Sequence, residues 1–159
     1  TGTHFTTAAC LELLEDSLPP SPPPTSALDV GTGTGVLAIG AVRLGASPVV
    51  AFDADPTAVD VARGNLSHNG VADRVELWHG RLSDLAEDRR FDRVLANLLA
   101  PLLCELAGDL AAALADGGLL IGSGLLVDQE AEVTSALEGA GLQISERRTD
   151  AEWIALAAR

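Results

Sequence analysis

The sequence predicts an α/β fold, a doubly wound and mostly parallel seven-stranded sheet closed by an antiparallel C-terminal hairpin. Three observations predict it. Short apolar runs alternate with segments of helical periodicity, as parallel strands and their crossover helices require. The first run, Leu28-Asp29-Val30, leads into Gly31-Thr32-Gly33-Thr34-Gly35, a glycine-rich turn that opens a helix. The last two runs are separated only by a short polar turn, the signature of a hairpin.

Each element follows in order. Thr7 to Asp16 has helical spacing, with Thr6 as its N-cap, and Pro19 to Pro24 then forms a stiff, extended connector. Residues 27–30 are the first strand, 36–44 the first crossover helix and 49–53 the second strand. Asp55-Pro56 supplies an N-cap and a first-turn proline for a helix ending near Asn69-Gly70. Residues 75–79 and 91–97 are strands three and four. A helix over 102–114, stopped by Asp116-Gly117-Gly118, leads to strand five at 119–123. Residues 129–140 are helical, and 142–148 with 153–158 form the hairpin. No internal repeat is visible.

Composition sets the outer limits. The 159 residues, 47% of them hydrophobic, are enough for one α/β core, so one domain over 1–159 is expected, residues 1–26 being its N-terminal helix and proline-rich connector. No apolar run reaches the roughly 18 residues of a membrane span, and no basic-then-apolar leader is present, so a cytoplasmic protein with no membrane partner is expected. Cys10 and Cys104 lack metal-ligand spacing and read as small buried hydrophobes, with no metal implied.

The formal net charge is −13, and all ten basic residues are arginine; lysine, tyrosine and methionine are absent. A Walker loop, a Schiff-base enzyme and a Tyr/Lys-dependent dehydrogenase each lack an essential side chain. The acidic balance opposes direct nucleic-acid binding, because no basic stripe exists to release counterions. It favours a cationic partner, or else describes only a solvated acidic surface. The missing initiator methionine points to a processed or excised chain.

The polar residues that carry chemistry sit where strands end. In doubly wound sheets ligands bind beyond the strand carboxyl ends. Gly31 ends the first strand, Asp53 the second, His79-Gly80-Arg81-Leu82 the third and Asn97 the fourth, and all four face one crevice. Glycines at 31, 33 and 35 let the backbone approach a ligand, and the N–H groups at the helix start attract negative charge. Asp53 lies 22 residues beyond Gly31, near the spacing of roughly 20 at which nucleotide-binding folds grip ribose hydroxyls. A nucleoside-containing cofactor is implied. Leu82 lies against its adenine or packs in the core; Arg81 is read as solvated.

The glycine register narrows the cofactor. A dinucleotide fingerprint places a small residue at position 36, where this chain has Val36. Gly-x-Gly-x-Gly preceded by Asp29 is instead similar to the first motif of Rossmann-like class I S-adenosylmethionine methyltransferases, whose cofactor carries an amino-acid tail and no phosphate.

A closer resemblance runs along the chain: Thr1-Gly2-Thr3-His4-Phe5-Thr6-Thr7, Leu28 to Ile39, Asp53-Ala54-Asp55-Pro56, Asn65 with Asn69-Gly70, Val94-Leu95-Ala96-Asn97-Leu98-Leu99-Ala100, Gly117-Gly118, Ser123-Gly124 and Glu152-Trp153. These residues resemble the PrmA-type methyltransferases, which use S-adenosylmethionine to methylate lysine and N-terminal amines of the eleventh protein of the bacterial large ribosomal subunit. The resemblance implies that His4, Thr6 and Thr7 belong to a segment covering the cofactor, that Asp53 holds the ribose, and that Asn97 stands at the methyl-transfer site. The expected cofactor-binding set is His4, Thr6, Thr7, Asp29, Gly31, Thr32, Gly33, Asp53, Ala54, Leu82 and Asn97, with Asn97 also catalytic. Family members carry an amino-terminal recognition domain, whereas this chain starts at the Thr-Gly-Thr-His motif. It is therefore expected to be either an excised catalytic domain or a stand-alone relative acting on another protein or small amine.

Amine methylation agrees with the residues themselves. The Asn97 carbonyl oxygen can accept from an attacking amine and aim its lone pair at a sulfonium methyl; alternatively Asn97 only caps the following turn. Adenine and glutamine methyltransferases follow this asparagine with Pro-Pro-aromatic, a platform for a planar group, whereas Leu98-Leu99 follow here. An aliphatic amine needs an apolar channel and the loss of its proton, which burial promotes. His4 serves as a proton acceptor or as a structural loop residue. Two rivals stay open, a nicotinamide-dependent oxidoreductase and a non-catalytic adenosyl-binding module.

Overall fold

The computed structural model describes residues 4–20 and 24–159. The Thr1-Gly2-Thr3 part of the opening motif and Ser21-Pro22-Pro23 of the connector lie outside the described residues. Seven strands form one sheet: β1 (Ala27–Val30), β2 (Val49–Asp53), β3 (Val75–His79), β4 (Phe91–Asn97), β5 (Leu114–Leu126), β6 (Ile144–Asp150) and β7 (Trp153–Ala158), in the order β3-β2-β1-β4-β5-β7-β6. Strands β3 to β5 pair in parallel, and β7 is antiparallel to both β5 and β6. The predicted fold class is the observed one.

The helices are α1 (Phe5–Ser17), α2 (Val36–Arg43), α3 (Pro56–His68), α4 (Ala100–Ala112) and α5 (Glu130–Gly139), with single 3-10 turns at Ala72–Arg74, Leu82–Asp84 and Val127–Gln129. Both sheet faces are covered, which is why the central strands β1, β2 and β4 are mainly apolar, the buried Asp29 of β1 being the exception among their fully buried residues. One core layer joins Leu28, Val30, Val50 and Phe52 to α4 and α5. The other joins Ala27, Val49, Ala51 and Leu95 to α1 and α2. The chain runs from β1 outward to β3 and then returns to β4 on the other side of β1. That reversal opens a crevice at the carboxyl edge between β1 and β4.

Local signals account for the elements that agree with the sequence. Asp55 accepts from the Thr57 N–H at 2.8 Å and Pro56 opens α3. Four elements differ, one of them β6, which runs Ile144–Asp150, two residues later at each end than the expected 142–148. The N-cap of α1 is His4, whose Nδ1 accepts from the Thr6 N–H at 3.3 Å and lies 2.8 Å from the Thr6 hydroxyl; Thr6 is inside the helix and buried. A ring nitrogen has replaced the hydroxyl expected as the cap, so α1 starts earlier. Helix α4 runs two residues earlier at each end than expected, with Pro101 in its first turn. Asp116-Gly117-Gly118 does not stop that helix but forms an irregularity inside β5, which already pairs with β4 at Leu114 opposite Phe91. Gly117 has φ +71°, and a Cβ on Gly118 would lie 2.8 Å from the Ala115 carbonyl oxygen, so the two glycines permit the bulge.

Two ties hold α1 on the sheet. Arg93 of β4 donates through Nε to the Ser17 hydroxyl at 2.8 Å and also reaches the Ser17 carbonyl. Arg148 of β6 pairs with Glu12 and Asp16 of α1 and with Glu146. Cys10 is buried and Cys104 half-buried.

Candidate functional site

The crevice is built from the ends of four adjacent parallel strands. Gly31, Gly33 and Gly35 all have positive φ, 69°, 56° and 82°, which side chains with a Cβ rarely adopt. At Gly33 a Cβ would meet nothing within 4 Å, so the turn is open to the crevice there. At Gly31 a Cβ would lie 2.8 Å from Leu98 Cδ2, so the glycine lets Leu98 fold over the turn.

Two carboxylates organise this turn. Asp29 is buried beneath it, and its Oδ2 accepts from the Thr32 hydroxyl at 2.6 Å and from the Ala38 N–H at 3.2 Å. Burial pushes its carboxyl up to about 6, against the pull of those two donors, and the nearby Asp53 charge adds to the rise. Asp29 therefore braces the turn from below. Asp53, half-buried at the end of β2, accepts from the Gly33 N–H through Oδ2 and from the Asp55 N–H through Oδ1, both at 2.9 Å. Each oxygen keeps a free lone pair, enough for a pair of vicinal hydroxyls.

The expectation that helix-start N–H groups would serve an anion is not met at four positions. Thr32 donates to the Phe52 carbonyl, Gly35 to that of Thr32, Gly33 to Asp53 and Ala38 to Asp29. Those four donors are engaged and two carboxylates stand at hand, which weighs against a pyrophosphate at this turn even though the Val36 and Leu37 N–H groups open α2. The turn suits a phosphate-free nucleoside bearing positive charge.

The other predicted residues are distributed around this centre. Ala54 is exposed next to Asp53, and its carbonyl meets His79 Nε2 at 3.1 Å. Leu82 is buried in the core layer with Phe52, the packing alternative, and Trp78 stacks on Phe52 at 4.4 Å between ring centroids. Arg81 is exposed. Asn97 is half-buried at the end of β4, and its Nδ2 points to the Thr7 hydroxyl at 3.5 Å, which brings α1 into the site. His4 is exposed and packs edge-on against Trp153 at 4.8 Å.

Two neighbours of Asn97 have no role assigned from sequence. Ser123 lies opposite Asn97 in β5, and its hydroxyl contacts Cys10 Sγ at 2.9 Å; burial pushes the Cys10 thiol up to about 12. At Gly124, φ +84°, a Cβ would fall 2.9 Å from Asn97 Oδ1 and 2.8 Å from the Leu98 carbonyl oxygen. The Ser-Gly pair was visible in the sequence, but its apposition to Asn97 depends on the β4–β5 register.

A parallel core flanked by a β5-β7-β6 antiparallel edge, with a glycine turn and a β2 acid at its switch point, defines the class I methyltransferase fold. Comparison with known proteins narrows this to a family. The family model for ribosomal protein L11 methyltransferase (PrmA) matches residues 1–159, and the chain belongs to that family. It is 48% identical over 158 residues to the ribosomal protein L11 methyltransferase of Pelotomaculum thermopropionicum, covering 99% of this chain and 50% of that protein. It is likewise 48% identical over 159 residues to that of Geobacter sulfurreducens, covering 100% of this chain and 50% of the relative. The chain thus spans about half the length of these curated relatives. The crystal structure of ribosomal protein L11 methylase from Lactobacillus delbrueckii subsp. bulgaricus superposes with a TM-score of 0.91 at 33% identity, covering 99% of this chain and 80% of that one.

Proposed function

We propose that this chain is the catalytic part of an S-adenosylmethionine-dependent N-methyltransferase acting on lysine or N-terminal amines of ribosomal protein L11 in the bacterial cytoplasm. The observation that carries the reading is the pairing of Asp53 with the Gly33 N–H of the glycine turn, facing Asn97 two strands away. S-adenosylmethionine, when bound, supplies a methyl group activated by a sulfonium centre. Asp53 would accept from the ribose hydroxyls, and the open face at Gly33 would admit the adjoining part of the molecule. Asp29 acts indirectly by holding Thr32 and the start of α2. The Thr7 hydroxyl meets Asn97 Nδ2, the missing side chain at Gly124 leaves room beside Oδ1, and Asn97 Oδ1 would accept from the amine so that its lone pair is directed along the line of displacement.

His4 and Thr6 support the covering role only through the start of α1. No cation is required to neutralise a phosphate, in keeping with the acidic chain. Calorimetry with S-adenosylmethionine and with NAD separates a methyltransferase from an oxidoreductase. Transfer of labelled methyl to L11 is then measured with this chain alone and with it grafted in place of the matching half of the Geobacter sulfurreducens relative. Asp53→Ala is expected to lose on the order of 1.5–3 kcal/mol of cofactor affinity per bond to the charged group. Asn97→Ala is expected to keep that affinity and lower the transfer rate, because its interaction acts at the transition state. Binding without transfer in either form identifies an adenosyl-binding module, and transfer to other amines but not L11 replaces the substrate.

A further inference from the structure

Adjacent leucines after Asn97 have different surroundings. Leu98 folds over Gly31 and is half-buried, whereas Leu99 is 73% exposed. Leu99 is also the N-cap of α4, with φ −63° and ψ 145°, and its side chain makes no capping bond. Ser, Thr, Asp or Asn is favoured there, because a side-chain oxygen can take a helix-start N–H that leucine leaves to solvent. In this helix the recipient would be the Leu102 N–H, since Pro101 has none. Leu99 is thus unfavourable on both counts, as a cap and as an exposed hydrophobe.

It does not stand alone. Among the described residues four large hydrophobic side chains are exposed: Val61, Leu99, Leu102 and Val127. Val61 is in α3. Leu99 and Leu102 are three apart at the start of α4, where such spacing puts side chains on one face. Val127 follows the end of β5, the strand parallel to β4, so it leaves the sheet by the same edge as Asn97.

We propose that Leu99, with Leu102 beside it, is a specificity-determining ledge that receives the methylene stem of a lysine-type primary amine and guides its nitrogen to Asn97. The inference rests on the amine-methylation reading above. An acidic chain draws the cationic head of such a side chain, and an apolar ledge next to the carboxamide holds the four-carbon stem while the head is desolvated. A planar base has no aromatic surface to stack on at Leu98 or Leu99. The helix cap is forgone in favour of contact with the substrate, so stability and substrate recognition oppose each other at one residue.

That opposition supplies the test. Leu99→Ser restores a cap, and Leu99→Met keeps an apolar side chain. Each is compared with the parent for melting temperature, S-adenosylmethionine affinity, calorimetric affinity of the cofactor-loaded protein for L11, and KM and kcat for methyl transfer. Leu99→Ser is expected to melt about 2–4 °C higher, to bind the cofactor as before, and to show a roughly tenfold higher KM and weaker L11 binding with kcat little changed. Leu99→Met should match the parent in KM. An unchanged KM and L11 affinity in Leu99→Ser overturns the ledge, as does a lower melting temperature with lost cofactor affinity, which would make Leu99 a packing residue. If the parent transfers no methyl group to L11 either alone or grafted in place of the matching half of the Geobacter sulfurreducens relative, the amine-methylation reading fails in the parent itself; equal binding of L11 by parent and Leu99→Ser in both forms then overturns the ledge as well.

Discussion

Replacing Asp29 by asparagine separates the charge beneath the glycine turn from its hydrogen bonds. Both donors, the Thr32 hydroxyl and the Ala38 N–H, meet the same oxygen, Oδ2. A carboxamide oxygen in that position keeps both bonds and removes only the charge. Burial raises the carboxyl to about 6 from an ordinary 3.8. The folded protein therefore holds the proton more tightly than the unfolded chain. The stability this contributes is fully present below the unfolded pKa and is lost as pH rises through the folded one. The whole shift corresponds to about 3 kcal/mol, of which about 1.4 kcal/mol is lost between about pH 5 and about pH 7.5. That interval lies above the pI of about 4.3, where this acidic chain is least soluble. In urea unfolding followed by tryptophan fluorescence, Asp29→Asn should gain about 1.4 kcal/mol relative to the parent on going from the lower pH to the higher. A difference between variant and parent that is equal at both pH values refutes the assignment of a buried, raised carboxyl under the turn.

Gly124→Ala forces a side chain into φ +84° with its Cβ 2.8 Å from the Leu98 carbonyl oxygen, and should cost at least about 1–2 kcal/mol in urea unfolding; a neutral result would show that the β4–β5 end is not closely packed. Arg148→Ala removes contacts to Glu12, Asp16 and Glu146, all largely exposed on the carboxylate side, and should cost no more than about 1 kcal/mol, less in high salt. Cys10 is buried with its thiol pushed up to about 12, so brief iodoacetamide treatment of the folded protein followed by peptide mapping should find modification at Cys104 before Cys10.

Much of the fold was legible because its signals are local. A glycine that must take positive φ, an Asp-Pro pair that caps and opens a helix, and a mainly apolar run of strand length each act on neighbouring backbone, so the β1 turn, α3 and the limits of β1 to β4 could be read directly. Alternation of strand and helix then determined the class, and the carboxyl-edge rule gathered Gly31, Asp53, His79 and Asn97 along one edge before any packing was known. What neighbours across space decide was not legible. The α1 cap passed from Thr6 to His4, β5 began before its glycines, and Asp29 turned beneath the turn to serve Thr32 and Ala38. The meeting of Thr7, Asn97 and Gly124, and the division of Leu98 and Leu99 between turn and solvent, arise from strand register and helix docking. Those depend on which distant segments pack together, because a side chain's direction is determined by its strand or helix but its partner only by the tertiary structure.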